Sequence, residues 1–516
     1  MTPRTRKAGM LVEPSSSLRY VSATALPRQR GRAPSAVPPS AVPPSAVPPP
    51  GYWRRLLPVL ALLALVTRIP SFGRRLWNPD EGYLAVQARI LADGGALYDT
   101  VVDRKPPLLP LLYQASFAVF GDESLLSVKI LAVIAQLITA ALLVGIARRR
   151  WGDRAGRTAG VLYLLVSIGL NPQDAQAATF EVFMLPFTAA AIWCADRGRW
   201  AAAGLAVAGA LLTKQTGGAV LVPVLWLLWQ TSASRTALLR TGVGLGLPVL
   251  CAAGLTTPYG FVFWTVTGSG AYATFTGSEL HVLFRAVVNT ALLGAACAGL
   301  IPPIVRVLRI ARTGATDLWL WLAASAAAVL LGFHFFGHYY LQLIPPLALL
   351  AAGALQILPR ARLATALLTS ACGCALFLAW GMLAPRPELD HAERLAAAVQ
   401  ARTSPSEPVL VWGIHPEMYW LADRAPASRY LTAGLLTNYS GGRNGPQVGE
   451  KYAVAGAWQV FAGEMRRRRP ALIVDDSRGK PFAPERIPTL NRLLSWHYEP
   501  LPDEVDGAVF YVRSGG

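Results

Sequence analysis

Residues 77–107 read WNPDEGYLAVQARILADGGALYDTVVDRKPP and follow the first long apolar run of the chain. The charged residues of this stretch include Asp80, Glu81, Asp93, Asp99, Asp103 and Lys105. The chain around it is apolar: 53% of its 516 residues are hydrophobic and 15% are charged, against roughly 25% charged residues in a typical soluble domain. So much charge between apolar runs predicts a polar loop at a membrane surface.

Long apolar runs recur from about residue 55 to residue 384, which predicts a polytopic α-helical membrane protein. We predict about eleven transmembrane helices, at residues 54–72, 124–147, 157–172, 180–195, 200–213, 217–231, 240–257, 286–305, 317–333, 339–357 and 363–384. Several of these are shorter than the roughly 20 residues that usually cross a bilayer. Residues 106–120 are also apolar, but we predict that they lie along the membrane surface. The first outer loop would then contain two juxtamembrane helices, because a helix is also predicted from residue 79.

The distribution of arginine decides the orientation. With residues 106–120 outside the membrane, the loops on one side collect most of the arginines between spans, whereas the loops of the other side beyond the first hold little more than Lys214, with Arg285 at the edge of a span. Basic loops face the cytoplasm. The clustered residues are Arg148, Arg149, Arg150, Arg154, Arg157, Arg197, Arg199, Arg235, Arg240, Arg306, Arg309, Arg312, Arg360 and Arg362. We therefore predict a multi-pass protein of the cell membrane with a cytoplasmic N-terminus and an extracytoplasmic C-terminal segment. This topology accounts for the net charge of +19 without a nucleic-acid partner.

Three domains are predicted. Residues 1–52 form a disordered, Arg- and Pro-rich cytoplasmic tail that contains the tandem repeat SAVPP, and residues 53–384 form the transmembrane domain. Residues 385–516 change character and predict an extracytoplasmic α/β domain. Its predicted elements are a helix at 391–400 and strands at 408–413, 471–476 and 507–513.

The sequence NPDEGY predicts a capped helix start. Asn78 suits the N-cap and Pro79 the first helical position, and Glu81 falls where it can complete a capping box. This assignment gives Glu81 a structural role and leaves Asp80 without one. A free carboxylate at the membrane surface can act as a general base toward an acceptor hydroxyl.

Lys105 is followed directly by Pro106 and Pro107, which fix an extended turn before the surface helix. One interpretation is a solvated lysine that marks the start of that helix. The other is a cation held at the level of the lipid headgroups, where it can bind a lipid phosphate. The residues alone leave both interpretations open.

Further polar residues fall at the predicted outer ends of spans. Glu181 begins one span and could be only a cap, and Lys214 lies where a basic residue is disfavoured. His338, Tyr339 and Gln342 form a polar and aromatic cluster, for which an aromatic belt is the simpler explanation of the tyrosine. Because the predicted topology puts all of them on the face that carries Asp80 and Lys105, they predict a site there.

These motifs resemble the C-type glycosyltransferases, in particular the protein O-mannosyltransferases and the lipid A aminoarabinose transferases. The resemblance covers about residues 54 to 384. It is most specific in DEGYLAVQARILADGGALYDTVVDRKPPL, and TFEVFMLPF, LTKQTG and HYYLQLIPPL strengthen it. It implies an inverting membrane glycosyltransferase that moves a sugar from a polyprenyl-phosphate donor to an acceptor hydroxyl at the outer face. The acceptor is a glycan, a lipid or a protein of the cell envelope.

The resemblance also implies roles for individual residues. Asp80 matches the catalytic base and Glu181 a second acidic position, and Lys105 matches the lysine that binds the donor phosphate. Lys214 and His338 match polar positions, which we assign to the same phosphate. The predicted substrate pocket adds Glu81, Tyr83, Asp103, Tyr339 and Gln342. A divalent metal is reported in part of the group; no cofactor is demanded here, and no metal ligands are assigned.

Two other classes of protein compete with this interpretation. A lipid or solute transporter, including a flippase, would place charges near the membrane midplane and show internal repeats, whereas here the charges lie at span ends and no clear repeat is seen. A membrane scaffold that presents the C-terminal domain would leave the charged stretch at 77–107 unexplained.

Overall fold

The structure is a computed structural model that describes residues 51–231, 234–268, 279–310, 315–331, 333–442 and 444–514. The predicted tail, residues 1–52, lies outside these ranges except for its last two residues. Arg312 of the predicted basic clusters also lies outside the described residues.

Helices make up the apolar part of the chain. They are α1 (Tyr52–Val66), α2 (Ile69–Phe72), α3 (Pro79–Ala92), α4 (Leu108–Phe120), α5 (Leu126–Trp151), α6 (Asp153–Val166), α7 (Pro172–Ala175), α8 (Phe180–Ala195), α9 (Trp200–Thr213), α10 (Leu221–Thr231), α11 (Arg235–Leu255), α12 (Pro258–Thr265), α13 (Glu279–Ala296), α14 (Ile301–Ile310), α15 (Thr316–Leu331), α16 (Ile344–Ile357) and α17 (Arg360–Leu383). Short 3₁₀ turns precede α10 (Gln215–Val220), α14 (Cys297–Gly299) and α16 (Gly337–Leu343).

Two predicted spans, 180–195 and 200–213, coincide with α8 and α9. The prediction of one helix over 286–305 is wrong, because α13 ends at Ala296 and α14 begins at Ile301. Pro302 and Pro303 explain the break, since neither has the amide hydrogen that a continuous helix would bond four residues back. The first predicted span is also interrupted, at Thr67 and Arg68.

Within the described residues, five helical segments are long and apolar enough to cross a membrane. They are Leu126–Trp151, Arg235–Leu255, Glu279–Gly299, Gly337–Ile357 and Arg360–Arg402. Four shorter apolar helices accompany them: α4, α8, α9 and α15. Large apolar side chains of α11, such as Leu247 and Leu250, are exposed by 60% and 71%, as expected of a helix that faces lipid. The chain is thus a polytopic helical membrane protein, and the number of eleven spans remains a prediction.

The C-terminal region, residues 385–516, contains both helices and strands. Its elements are α18 (Pro387–Arg402), β1 (Val409–Trp412), α19 (Glu417–Ala422), α20 (Ala433–Thr437), α21 (Tyr439–Gly442), α22 (Ala457–Arg468), β2 (Leu472–Asp475), α23 (Pro488–His497), β3 (Tyr498–Pro500) and β4 (Val509–Arg513). The strands form one sheet in the order β1-β2-β4-β3, in which β1 and β2 are parallel and the other neighbours antiparallel. The predicted helix and the three predicted strands each correspond to one of these elements.

The C-terminal region packs directly on α3. An ideal Cβ atom on Gly82 would lie 2.4 Å from Cβ of Glu417, so only glycine permits this approach of α3 to α19. Arg89 of α3 forms salt bridges with Asp122 (2.5 Å) and with Asp423 (2.9 Å). The charged stretch of residues 77–107 therefore lies between the helical bundle and the C-terminal region.

Candidate active site

The start of α3 presents Asp80 and buries Glu81. The Asn78 side chain caps the helix by accepting a hydrogen bond from the Asp80 amide at 2.8 Å. The Glu81 carboxylate accepts hydrogen bonds from the amides of Trp77 (2.8 Å) and Ala178 (2.7 Å). Glu81 therefore departs from the predicted capping box, in which it would bind the amide of Asn78. It ties α3 to the segment that leads into α8.

Three side chains hold the backbone of the segment from Val102 to Lys105. The hydroxyl of Tyr98 donates to the carbonyl of Lys105 (2.8 Å), and the hydroxyl of Tyr83 donates to the carbonyl of Val102 (3.1 Å). Gln215 Nε2 donates to the carbonyl of Arg104 at 2.5 Å. These bonds fix the position of the Lys105 backbone.

Asp103 and Lys105 have different surroundings. Asp103 is buried and accepts a hydrogen bond from Gln87 Nε2 at 3.0 Å. Burial raises the pKa of Asp103, and the nearby Lys105 ammonium partly opposes this. Lys105 is half-buried, with Nζ 5.6 Å from the centre of the Phe180 ring. It forms no salt bridge or side-chain hydrogen bond with any residue that the structure describes, and the same holds for the Asp80 carboxylate.

A cavity of about 530 Å³ lies where α3, the segment 102–105, the ends of several apolar helices and the C-terminal region meet. Asp80 and Lys105 both line it. The other lining residues are Pro79, Tyr83, Asp103, Arg104, Phe180, Lys214, Gln215, Thr216, Thr265, Val266, Leu331, Tyr339, Ile414, Pro416, Thr432, Leu435 and Ser440. A carboxylate and an ammonium that no described residue neutralises therefore share one mostly apolar space, as is typical of small-molecule sites.

A buried ion pair and a half-buried histidine–carboxylate pair lie beside this cavity. Lys214 Nζ donates to the Glu181 carboxylate and lies 3.9 Å from the centre of the Tyr339 ring. His338 Nδ1 lies 2.8 Å from Asp174 Oδ1. Because Lys214 and His338 already have carboxylate partners, Lys105 is the cation of the predicted phosphate-binding set that has none among the described residues.

The structure brings most of the predicted site together. Six of the ten predicted residues line the cavity: Asp80, Tyr83, Asp103, Lys105, Lys214 and Tyr339.

The remaining four predicted residues do not line the cavity. Glu81 is fully buried, and each of its carboxylate oxygens accepts a hydrogen bond from a backbone amide. Gln342 is also buried, and its side-chain amide donates to the carbonyl of Tyr339. The prediction that Glu81 and Gln342 line the pocket is corrected accordingly. Glu181 and His338 lie one layer behind it, in the ion pairs just described.

Part of the cavity wall comes from segments that no sequence pattern pointed to. Gln215 and Thr216 follow Lys214 directly and could have been included with it. The C-terminal residues Ile414, Pro416 and Leu435 carry no pattern that points to a site. Among the described residues, no group of three or more His, Cys, Asp or Glu side chains is arranged to hold a metal ion.

Comparisons with known proteins bear on this geometry. Residues 104–255 match the sequence model of the family described as dolichyl-phosphate-mannose-protein mannosyltransferase. The fold is similar to ArnT from Cupriavidus metallidurans bound to undecaprenyl phosphate, with a TM-score of 0.60 and 16% identity over 90% of this chain and 98% of that one. It is also similar to the apo form of the Archaeoglobus fulgidus oligosaccharyltransferase, with a TM-score of 0.51 and 14% identity over 90% of this chain and 75% of that one. No curated protein matches the sequence.

These findings confirm the resemblance to the C-type glycosyltransferases, as inferred from the sequence. The fold is that of polytopic C-type glycosyltransferases, and residues 104–255 carry the sequence similarity to the mannosyltransferase family.

Proposed function

We propose that the chain is an inverting glycosyltransferase that moves a sugar from a polyprenyl-phosphate donor to a hydroxyl group of an acceptor at the outer face of the cell membrane. One observation carries this proposal: the carboxylate of Asp80 and the ammonium of Lys105, which have no polar partner among the described residues, line the same cavity. The similarity of the fold to a structure that contains undecaprenyl phosphate supports the class of donor.

Asp80 acts as the general base in this proposal. Its carboxylate accepts the proton of the acceptor hydroxyl while the hydroxyl oxygen attacks the anomeric carbon of the donor. The bond between that carbon and the phosphate oxygen breaks, and the electron pair leaves with the lipid phosphate. Attack opposite to the leaving group inverts the anomeric configuration. The acceptor can be a glycan, a lipid or a protein, because the groups involved require only a hydroxyl.

Lys105 stabilises the leaving phosphate. A positioned cation in a site with little water lowers the energy of the negative charge that develops on the phosphate oxygens. The hydrogen bonds that fix the backbone of residues 102–105 keep this cation in place before the donor arrives. Pre-organisation of this kind avoids the energy of rearrangement during the reaction.

The pair of Glu181 and Lys214 serves as a positioning element. Lys214 lines the cavity and its charge is balanced by Glu181 behind it. A neutral pair can orient hydroxyl groups of the sugar without competing with Lys105 for the phosphate. We assign Glu181 to this supporting role, and not to direct contact with the reacting atoms.

The test is a transfer assay with the purified protein in a lipid nanodisc, supplied with a panel of polyprenyl-phosphate sugars and acceptor hydroxyl compounds. Asp80→Asn is expected to lower kcat by roughly 100- to 10,000-fold, the usual contribution of a general base. Asp93→Asn is the matched control, because Asp93 is exposed at the other end of α3. We expect this control to retain the wild-type rate.

Two results would contradict the proposal. Transfer at the wild-type rate by Asp80→Asn would remove Asp80 as the base. Coupled movement of a lipid or solute across the bilayer, with no glycosidic bond formed from any donor of the panel, would favour a transporter.

A further inference from the structure

A second apolar groove lies at the end of the molecule opposite to the candidate active site. It has a volume of about 590 Å³ and runs between α14 and α17. Its walls are Ala298, Gly299, Pro302, Pro303, Val305, Arg306, Leu358, Arg362, Thr365, Ala366 and Thr369. The end of α17 near Gly381 packs against Pro70 and Gln176, close to the start of α3. Because a helix rises about 1.5 Å per residue, Arg362 lies on the order of 30 Å from that end.

Two arginines stand out in this groove. Arg306 and Arg362 both line it, and neither forms a salt bridge or side-chain hydrogen bond with a residue that the structure describes. Some other arginines at this end have carboxylate partners, as Arg148 has in Asp153, whereas Arg306 and Arg362 share one groove. Two guanidinium groups without a carboxylate at one groove complement an anion, since arginine binds phosphate oxygens in a fixed, two-pronged geometry.

The helix surfaces next to the groove suit the apolar part of a lipid. Ile301, Val305 and Leu308 are exposed by 39%, 39% and 50% along one face of α14, and Leu368 of α17 is exposed by 67%. These side chains flank the arginines on both helices, so that two acyl chains can lie against them. The hydroxyl of Thr369, which has no hydrogen-bond partner among the described residues, offers the headgroup a further donor.

Close packing of the helices shapes the site. An ideal Cβ atom on Gly299 would lie 2.4 Å from Oγ of Ser370 and 2.5 Å from the carbonyl oxygen of Ala366. The absence of a side chain at Gly299 therefore lets the turn before α14 approach α17. Pro302 and Pro303, in the first turn of α14, form part of the groove wall.

We propose that this groove binds an anionic phospholipid, with the phosphate on Arg306 and Arg362 and the acyl chains along α14 and α17. Basic pockets between membrane helices bind anionic headgroups in this way. The predicted topology puts the groove in the cytoplasmic leaflet, away from the proposed donor site. The proposal does not depend on the proposed glycosyl transfer.

The experiment measures lipid binding to the full chain by native mass spectrometry and by thermal unfolding, with phosphatidylglycerol, phosphatidylcholine and polyprenyl phosphate as separate probes. Wild-type protein is expected to retain phosphatidylglycerol and to gain thermal stability from it. The double variant Arg306→Gln/Arg362→Gln is expected to lose at least about tenfold in affinity for it. The matched control Arg235→Gln/Arg240→Gln removes two exposed arginines of α11 and should bind as the wild type does.

Three outcomes would overturn the proposal. Equal loss of phosphatidylglycerol in the two double variants would indicate a general effect of positive charge. Equal binding of phosphatidylcholine would remove the requirement for an anionic headgroup. Binding of polyprenyl phosphate at this groove in preference to phosphatidylglycerol would make it a site for the donor lipid.

Discussion

At the scale of single residues, the neighbouring carboxylates Asp80 and Glu81 differ completely in their surroundings. Glu81 is fully buried and accepts two backbone hydrogen bonds, whereas Asp80 lines a cavity without a partner among the described residues. The sequence predicted this division because the position of Glu81 in the first helical turn implies a structural role. It could not predict the bond from Glu81 to the amide of Ala178, because that contact depends on the tertiary fold.

The proposed role of Lys105 in donor binding can be tested separately from the role of Asp80 as the base. Lys105→Met is expected to raise KM for the donor by about 10- to 100-fold, because a charge-assisted hydrogen bond contributes about 1.5–3 kcal/mol. Lys105→Arg keeps the positive charge and should recover part of the affinity. Steady-state kinetics with varied donor concentration measures this. An unchanged KM in Lys105→Met would place the phosphate elsewhere.

At the scale of elements, the sequence predicted the helices and strands that have a strong hydrophobic pattern. The helices α8 and α9 and three of the four strands correspond to predicted elements, since long apolar runs and short β-branched runs are distinctive. The break between α13 and α14 was missed because the apolar run continues through it. Pro302 and Pro303 were the sequence signal of this break, because proline is tolerated in the first turn of a helix and disfavoured in its interior.

The contact between α3 and α19 gives a prediction about stability. Gly82→Ala is expected to lower the unfolding temperature, because the new Cβ atom would lie 2.4 Å from Cβ of Glu417, and overpacking of this kind costs about 1–3 kcal/mol. Gly246→Ala is the matched control, since a Cβ atom there meets nothing within 4 Å. It should be neutral or slightly stabilising. Equal unfolding temperatures for both variants would mean that α3 and α19 do not pack so closely.

A group of charged side chains lies at the carboxyl end of β1 and β2 and includes Glu417 of α19. The stability of this region is therefore expected to depend on pH. His415 Nδ1 lies 2.8 Å from Glu417 Oε1, and His415 Nε2 lies 3.4 Å from Glu388 Oε2 and 3.9 Å from Asp476 Oδ2. Burial disfavours the charged ring, but these carboxylates outweigh it and raise the pKa of His415. Arg478 adds a positive charge at the rim of this group.

The raised pKa of His415 predicts how stability changes with pH. The protonated ring stabilises the folded state fully below its ordinary pKa of 6.5, and this contribution is lost as the pH rises through the raised value. The difference in unfolding temperature between wild type and His415→Gln should therefore be largest in mild acid and shrink toward alkaline pH. Thermal unfolding across that range measures it. A difference that grows with pH would show that His415 is neutral in the folded protein.

At the scale of the whole molecule, the candidate active-site residues and the arginine–aspartate ion pairs lie at opposite ends of the helices. Asp80, Lys105 and Lys214 meet at one end, and Arg150 pairs with Asp196 and Asp317 at the other. The count of arginines predicted that the candidate residues share one face. It could not predict that the C-terminal region closes the cavity, because Ile414, Pro416 and Leu435 become part of the site only through tertiary packing.

The most direct test of the proposed donor site is a structure of the full chain in a lipid nanodisc with a polyprenyl phosphate bound. We predict density for the phosphate beside Lys105, in the cavity lined by Asp80 and Tyr339, with the lipid chain leaving between the apolar helices. Density for the phosphate away from this cavity, with Lys105 uncontacted, would contradict the account.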